Sequence, residues 1–193
     1  MATPNQRLTR TNQGFTLVEL IVVVAMLGVL AAIAAPSWLT LVTRQRLYDA
    51  RANALDKVRE AQSQALRTSR SWEACFRDRD GMVQVSVQPS GDNNNCANHT
   101  SWQPLLESGA STIAIKTGTP GTTSSAVFGT NPTIGYSFRF GSLGDTVGLG
   151  TGNPPQLVFI PRGQNNGPFY CVVAETIIGS VREGTIRSDN RCR

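Results

Sequence analysis

Residues 14–35 read GFTLVELIVVVAMLGVLAAIAA, and this stretch decides the class of the protein. The run of 21 residues from Phe15 to Ala35 contains one charged side chain, Glu19. As an α-helix that rises about 1.5 Å per residue, the run would extend about 30 Å, the thickness of the hydrocarbon core of a bilayer. The stretch therefore predicts a helix that can cross a membrane.

The segment before this run, residues 1–14, carries two arginines, Arg7 and Arg10, and no acidic residue. Positive charge beside an apolar segment holds that end in the cytoplasm, so we expect the chain after Pro36 to be exported. Two simpler interpretations stay open. One is a secretory signal cut near Ala34, and the other is a plain single-pass anchor.

Neither simple interpretation explains Glu19. A carboxylate in an apolar membrane segment costs up to about 3 kcal/mol and therefore needs a partner. If the chain is cut after Gly14, the new α-amine of Phe15 lies about one helical turn from Glu19. In a staggered array of parallel subunits, the amine of one subunit would meet Glu19 of another. A buried charge without its partner costs about 3 to 5 kcal/mol, so cleavage would switch assembly on.

The heptapeptide Gly14-Phe15-Thr16-Leu17-Val18-Glu19-Leu20 resembles the prepilin signature that type IV pilins and type II secretion pseudopilins share. The resemblance implies an α+β fold, with a long kinked N-terminal helix and an antiparallel β head. It also implies cleavage between Gly14 and Phe15 by a membrane aspartyl peptidase, the prepilin peptidase, followed by N-methylation of Phe15. Glu19 corresponds to the assembly carboxylate and Pro36 to the proline that kinks the helix.

The same resemblance implies the cellular setting. We expect a protein of the bacterial inner membrane that crosses it once, with a cytoplasmic N-terminus and a head that is periplasmic, or extracellular in the assembled pilus or fimbrium. The expected partners are the prepilin peptidase, other pilin or pseudopilin subunits, and the inner membrane before assembly.

Beyond Pro36, apolar residues at i, i+3, i+4 and i+7 spacing predict that one helix runs from Thr16 to Thr68, bent rather than ended by the proline. The apolar face consists of Leu47, Ala50, Ala54, Leu55, Val58, Ala61, Ala65 and Leu66. The opposite face carries Arg44, Arg46, Arg51, Lys57, Arg59 and Glu60. Basic residues from Arg44 to Arg79 alternate with acids that include Glu73 and Asp78, which is typical of a solvated face with some intersubunit contacts.

Short apolar runs between turns follow Ser71 and predict an antiparallel β head packed on the apolar face of the helix. The predicted strands are 82–88, 112–116, 136–140, 157–160 and 169–175. Segments 88–98, 117–132 and 141–155 are rich in Gly, Ser, Thr, Asn and Pro, and we expect exposed loops there. The resulting organisation is a cleaved leader 1–14, a transmembrane or filament-core helix 15–35, an amphipathic helix 36–70 and an extracytoplasmic head 71–193.

Four cysteines fall in the part of the chain that would be exported, and three pairings of them are available. We favour Cys75 with Cys96 and Cys171 with Cys192, because each bridge would close a loop rich in Gly and Asn. Each would stabilise the head by about 3 kcal/mol on the loop-entropy account. The alternative of four free thiols stays open.

The stretch Val58–Arg67, followed by Cys75, resembles the helix end and first strand of the GspH/FimT-type minor pilins. The segments Cys171–Val173 and Gly179–Arg182 resemble their last strands. Some members of that group act in DNA uptake through a G-R-x-R motif. Here Ser180 replaces the first arginine of the motif, and Arg182 stands at the second. The candidate DNA contacts are Arg182, Arg187, Arg191 and Arg193.

Composition adds little to this interpretation. The formal net charge is +5, of which the leader arginines account for two, and the remaining +3 does not imply nucleic acid by itself. The single histidine, His99, lies in Cys96-x-x-His99, half the ligand set of a zinc site, but a bridged Cys96 cannot bind metal. We therefore expect no metal or cofactor, and we find no nucleophile with a base that would indicate an enzyme.

The favoured function is a structural subunit, a minor type IV pilin or a type II secretion pseudopilin, incorporated after peptidase cleavage. The alternatives are a pilus-associated DNA-binding subunit acting in DNA uptake and a membrane-anchored surface protein that never polymerises.

Overall fold

A computed structural model describes residues 14–91, 96–116, 135–147, 156–164, 169–186 and 192–193, without the side chains of 34–37 and 97. Helix α1 runs from Leu17 to Thr68 and continues through Pro36, as predicted. The bend at Pro36 stays a prediction. Contacts divide the chain into two units, Met1–Thr40 and Leu41–Arg193. By length and composition, no single helix among the described residues qualifies as a membrane span, whereas Leu17–Ile33 and Trp38–Thr68 qualify together as a bent pair.

Two four-stranded antiparallel sheets follow α1 in the second unit, which confirms the α+β class. The first sheet has the order β3-β2-β1-β5, with β1 at Trp72–Arg79, β2 at Met82–Pro89, β3 at Gln103–Pro104 and β5 at Tyr136–Phe140. The second sheet has the order β4-β6-β7-β8, with β4 at Ile113–Ile115, β6 at Gln156–Pro161, β7 at Phe169–Ala174 and β8 at Val181–Ile186. Short 3₁₀ turns occupy Cys96–Asn98 and Ala110–Thr112.

The core of the second unit lies between the apolar face of α1 and the inner faces of the two sheets. Seven of the eight helix residues predicted for this face are buried and belong to one cluster with Phe76, Phe138 and Phe159. The prediction is wrong for the eighth residue, Leu66, because its side chain is 54% exposed. The turn at Gly144 lies close to Leu66, but more than half of the side chain stays uncovered.

All five strands predicted from alternation or from apolar runs are present, and each end lies within one residue of the prediction. Strands β1 and β8 were expected only from the resemblance. β1 has the sequence WEACFRDR and shows no simple alternation, since residues 73–76 are all buried, on both faces of the sheet.

The exposed-loop prediction succeeds in part. Segment 117–132 lies outside the described residues. In segment 141–155, Gly141, Gly144 and Thr146 are buried rather than exposed, because the turn folds back and pairs Thr146 with Phe140. In segment 88–98, Cys96 is buried where it meets the first sheet.

Polar side chains of α1 bind strand β8 and several turns of the head, which corrects the prediction that Arg46 and Arg51 lie on a solvated face. Both are half-buried, as Lys57 is, but Lys57 binds only a residue of α1 itself in the described contacts, Glu60 at 2.8 Å in an exposed ion pair. The contacts of the helix with the head are Arg46 to the Thr112 hydroxyl at 3.4 Å, Arg51 to the Glu183 carboxylate at 2.9 Å, Asn53 to the Leu105 carbonyl at 3.1 Å, and Gln62 to the Gly144 and Gly179 carbonyls at 3.0 Å each.

Candidate functional site

The predicted cut site, between Gly14 and Phe15, is exposed at the start of the helix. An added Cβ on Gly14 would have no neighbour within 4 Å, and the Phe15 side chain is 84% exposed. Every large apolar side chain from Phe15 to Ile33 is exposed as well. Such a continuous apolar surface is not stable in water and needs lipid or protein to cover it.

Glu19 lies in the first turn of this helix, where its negative charge interacts favourably with the positive end of the helix dipole. The Thr16 hydroxyl accepts a hydrogen bond from the backbone N–H of Glu19 at 3.2 Å, so Thr16 caps the helix. Thr16-x-x-Glu19 is also the sequence of a capping box, in which either Glu or Gln is suitable at the second position. The sequence therefore allows the Glu19 side chain a local role in the cap, whereas the observed hydrogen bond uses only its backbone N–H.

The structure contains the Cys75–Cys96 and Cys171–Cys192 disulfides, the connectivity that we favoured. Cys171 and Cys192 lie in a small apolar cluster with Val158 and Val173 on the outer face of the second sheet. The other bridge ties the 3₁₀ turn at Cys96–Asn98 to β1 of the first sheet.

The outer face of the first sheet carries a buried polar layer, which the sequence interpretation missed. The layer consists of Glu73, Cys75, Ser86, Ser137 and Arg139, all less than a tenth exposed. Antiparallel register brings these residues together, because Glu73 is the partner of Arg139 and Cys75 is the partner of Ser86 and Ser137.

His99, which follows the bridged turn, completes this layer. Its Nε2 lies 3.0 Å from Glu73 Oε1 and 3.7 Å from Cys75 Sγ. Arg139 lies on the other side of Glu73, with its Nη2 3.6 Å from Glu73 Oε2. The Glu73 side chain is 1% exposed, so the arginine balances a carboxylate that has no access to water. Glu73 is therefore a buried member of an ion pair, contrary to its placement among solvated charges.

Trp102 anchors the segment that lies over the polar layer. Its indole N–H donates to the His99 carbonyl at 2.7 Å. The Arg77 guanidinium lies 3.9 Å from the centre of the Trp102 ring, a cation–π contact. Burial lowers the pKa of Arg77, and the nearby charge of Arg79 lowers it further. These contacts fix His99 above Glu73.

The Tyr48 and Tyr170 rings form a second contact between α1 and the sheets. Their centres are 4.4 Å apart, and the Arg51 guanidinium lies 5.2 Å from one ring and 5.4 Å from the other. Burial raises the pKa of Tyr170 to about 12, and its hydrogen bond with Tyr48 acts in the same direction. Tyr170 therefore stays neutral at physiological pH.

The candidate DNA residues are partly occupied by internal contacts. Arg182 pairs with the Glu175 carboxylate at 2.6 Å and donates to the Cys192 carbonyl at 3.0 Å. The backbone of Arg193 exchanges hydrogen bonds with Thr185 at 2.7 and 3.0 Å. Arg187 and Arg191 lie outside the described residues. The described part of the tail is thus built into the edge of the second sheet.

Comparison with known proteins places the N-terminal signature in a family. The prokaryotic N-terminal methylation motif matches residues 9–35. The type IV major fimbrial protein FimA of Dichelobacter nodosus is 32% identical over 89 residues, which cover 45% of this chain and 55% of that protein. The chain thus spans about half the length of this curated relative.

Among solved structures, the type IV minor pilin FimU of Pseudomonas aeruginosa PAO1 aligns with a TM-score of 0.46 and 15% identity, over 78% of this chain and 94% of that chain. This similarity is too distant to indicate function. The motif and the exposed apolar helix that carries it indicate membrane anchoring. The chain carries the prokaryotic N-terminal methylation motif and resembles the type IV pilins.

Proposed function

We propose that this protein is a minor subunit of a type IV pilus or of a type II secretion pseudopilus. The prepilin peptidase cuts it between Gly14 and Phe15, Phe15 is N-methylated, and helix 15–35 then leaves the inner membrane for the core of a filament. Before assembly the N-terminus is cytoplasmic and the head lies outside.

One observation supports the proposal. From Leu17 to Ile33 every residue except Glu19 is apolar or glycine, and these residues are exposed on all sides of the helix. A core helix of a water-soluble domain hides one face against its own chain, as the second half of α1 does. A helix exposed on every side suits two successive apolar environments, first lipid and then the packed helices of other subunits.

A minor rather than a major subunit is favoured by the head. Its helix end and strand segments resemble the GspH/FimT-type minor pilins, and its loop-rich sequence exceeds what filament mass alone requires. Polar side chains of α1, those of Arg46, Arg51 and Gln62, bind the second half of this helix to the head.

Substitution of Gly14 tests the processing step. Gly14→Val is expected to abolish cleavage, so that the chain accumulates with residues 1–14 attached and is absent from sheared filaments. Because an added Cβ at Gly14 would meet no atom within 4 Å in the described part of the chain, we expect the loss to arise in the peptidase site rather than from strain in the protein. Terminal sequencing and intact mass of the protein from its native host measure the result.

Gly28→Val is the matched control, since Gly28 also has open space around it and lies in the same apolar helix. It should be processed normally, with Phe15 as the first residue. A wild-type chain that begins at Met1, or after Ala34, would contradict the proposed processing and favour a plain anchor or a secretory signal.

The DNA-binding alternative makes a separate prediction. Arg182 is already paired with Glu175, so we expect duplex DNA to show no salt-dependent retention by the full chain in detergent. Glu175→Gln, which removes the negative charge beside Arg182 but leaves its hydrogen bond to the Cys192 carbonyl, should leave the result unchanged. Retention that falls with salt, rises in Glu175→Gln and disappears in Arg182→Ala would instead establish a phosphate contact at Arg182.

A further inference from the structure

The outer face of α1 in the second unit carries four exposed charged side chains. They are Asp49, Asp56, Arg59 and Arg67. None of the four forms an ion pair within the residues that the structure describes. The other charged residues of this half of the helix differ, because Arg46, Arg51, Lys57 and Glu60 bind partners in their own chain and Arg44 lies near Tyr170. The four charges therefore face solvent, where another chain can reach them.

The signs of these four charges are separated along the helix. The two acids come first, 7 residues apart, and the two arginines follow, 8 residues apart. Spacings of 7 and 8 residues are about two helical turns, so each pair lies on one face. Asp49 precedes Arg59 by 10 residues, and Asp56 precedes Arg67 by 11. A single shift of about 16 Å along the axis therefore aligns both acids of one helix with both arginines of a parallel copy.

We propose that this face of α1 binds the same face of a second copy of the chain, parallel to it and shifted by 10 to 11 residues. Asp49 of one copy then meets Arg59 of the next, and Asp56 meets Arg67. Each copy offers its acids to one neighbour and its arginines to another, so the contact is heterologous and extends in a row. The inference rests on the proposed function, because chains that enter one membrane by the same end share one direction.

The charges select the shift between copies and add little to the strength of the contact. An exposed ion pair contributes little free energy, because water screens it and two long side chains lose freedom. Without the shift, however, each acid would lie beside the same acid of the other copy, and like charges that face each other repel. The apolar helix from Phe15 to Ile33 would supply most of the cohesion, and the four charges would fix the register.

An antiparallel pair of copies would also bring opposite charges together. Asp49 would then meet Arg67, and Asp56 would meet Arg59. Such a contact is isologous and closes a dimer, whereas the parallel contact leaves one set of charges free for a third copy. Only the parallel contact suits subunits that all leave the same membrane in the same direction.

Cysteine pairs on this face distinguish the two arrangements. Leu41, Ala52 and Ser63 are exposed there and follow one another at intervals of 11 residues. In shifted parallel copies, Leu41 meets Ala52 of a neighbour and Ala52 meets Ser63. In antiparallel copies, only Ala52 and Ser63 meet. All four natural cysteines are in disulfides, and 11 residues of helix span about 16 Å, so the new thiols can bond only between chains.

Mild oxidation of membranes from cells that produce the full chain tests the proposal. Leu41→Cys with Ala52→Cys and, in a separate chain, Ala52→Cys with Ser63→Cys should each give a ladder of cross-linked multimers. Leu41→Cys with Ser63→Cys is the matched control, because these residues lie 22 positions apart and fit neither arrangement. The control should give at least about 10-fold less product, since a disulfide requires Cα atoms within about 7 Å.

Charge reversal shows whether the four charges set the register. Asp49→Arg with Asp56→Arg, in the chain with the first cysteine pair, should lower cross-linking about 10-fold, because two attractive pairs become repulsive. Arg59→Asp and Arg67→Asp, added to that chain, make the signs opposite again and should restore the ladder.

A ladder from Ala52→Cys with Ser63→Cys, but none from Leu41→Cys with Ala52→Cys, would indicate the antiparallel dimer and overturn the proposal. So would the absence of any ladder, an equal yield in the control, or charge reversal without effect. The first residue of the chain and its share in sheared filaments are measured in the same cells. A chain that begins at Phe15 and enters filaments without a ladder refutes this contact alone, whereas a ladder from a chain that is never cut refutes the proposed processing alone.

Discussion

Glu19→Gln is expected to remove the protein from filaments while its helix and its cut site stay intact. Gln suits the second position of a capping box as well as Glu does, so Thr16 continues to cap the helix. The charge is lost, however, and the amine of Phe15 in a neighbouring subunit would be buried without a partner. An unpartnered buried charge costs about 3 to 5 kcal/mol, which corresponds to about 100-fold or more in incorporation.

The measurement compares the protein in sheared filaments with the total in cells, after terminal sequencing has established that processing still occurs. Glu60→Gln is the matched control, because Glu60 forms an exposed ion pair with Lys57 on the same helix. It should assemble normally. If Glu19→Gln assembles as well as wild type, Glu19 acts only through the helix cap, and the interpretation as a non-polymerising anchor gains support.

Glu73→Leu is expected to destabilise the head by about 3 to 5 kcal/mol, because it leaves Arg139 buried without its carboxylate. The side chains of Glu73 and Arg139 are 1% and 9% exposed, so water cannot screen the remaining charge. Urea unfolding of the full chain in detergent, followed by far-ultraviolet circular dichroism, measures the change.

Two further variants show whether the cost arises from the unpaired charge. In the double variant Glu73→Leu with Arg139→Leu, no charge is stranded, and much of the stability should return. Glu175→Ala removes the carboxylate from the exposed pair with Arg182 and should cost less than about 1 kcal/mol. If Glu73→Leu cost no more than Glu175→Ala, the buried ion pair would contribute little to the head.

Sequence patterns predicted the elements in which one face differs from the other. The apolar stripe from Leu47 to Ala65 is visible because solvent covers the opposite side of α1, and the alternation in β2 is visible for the same reason. β1 has no such pattern, because the core covers one of its faces and the segment from Cys96 to Trp102 covers the other. Burial on two sides removes the alternation, and charged residues such as Glu73 and Arg77 also interrupt the kind of apolar run that identified β6 and β7.

The polar layer could not be predicted from single segments. Glu73, His99 and Arg139 lie far apart in the chain and meet only through the pairing of β1 with β5 and the bridge from Cys75 to Cys96. A partial signal was nevertheless present. Glu73 precedes Cys75 by two residues, on the same face of a strand, and His99 follows Cys96 by three, so the favoured disulfide already brought them together.

The contacts along the second half of α1 also have a mechanical meaning. The helix is attached to the head by Arg46, Arg51, Asn53 and Gln62, which are spread over about 24 Å of its axis. A pull along that axis would load these four contacts in parallel, as shear. If the chain is a filament subunit as proposed, this half of the helix would pass such a pull to the head through several contacts at once.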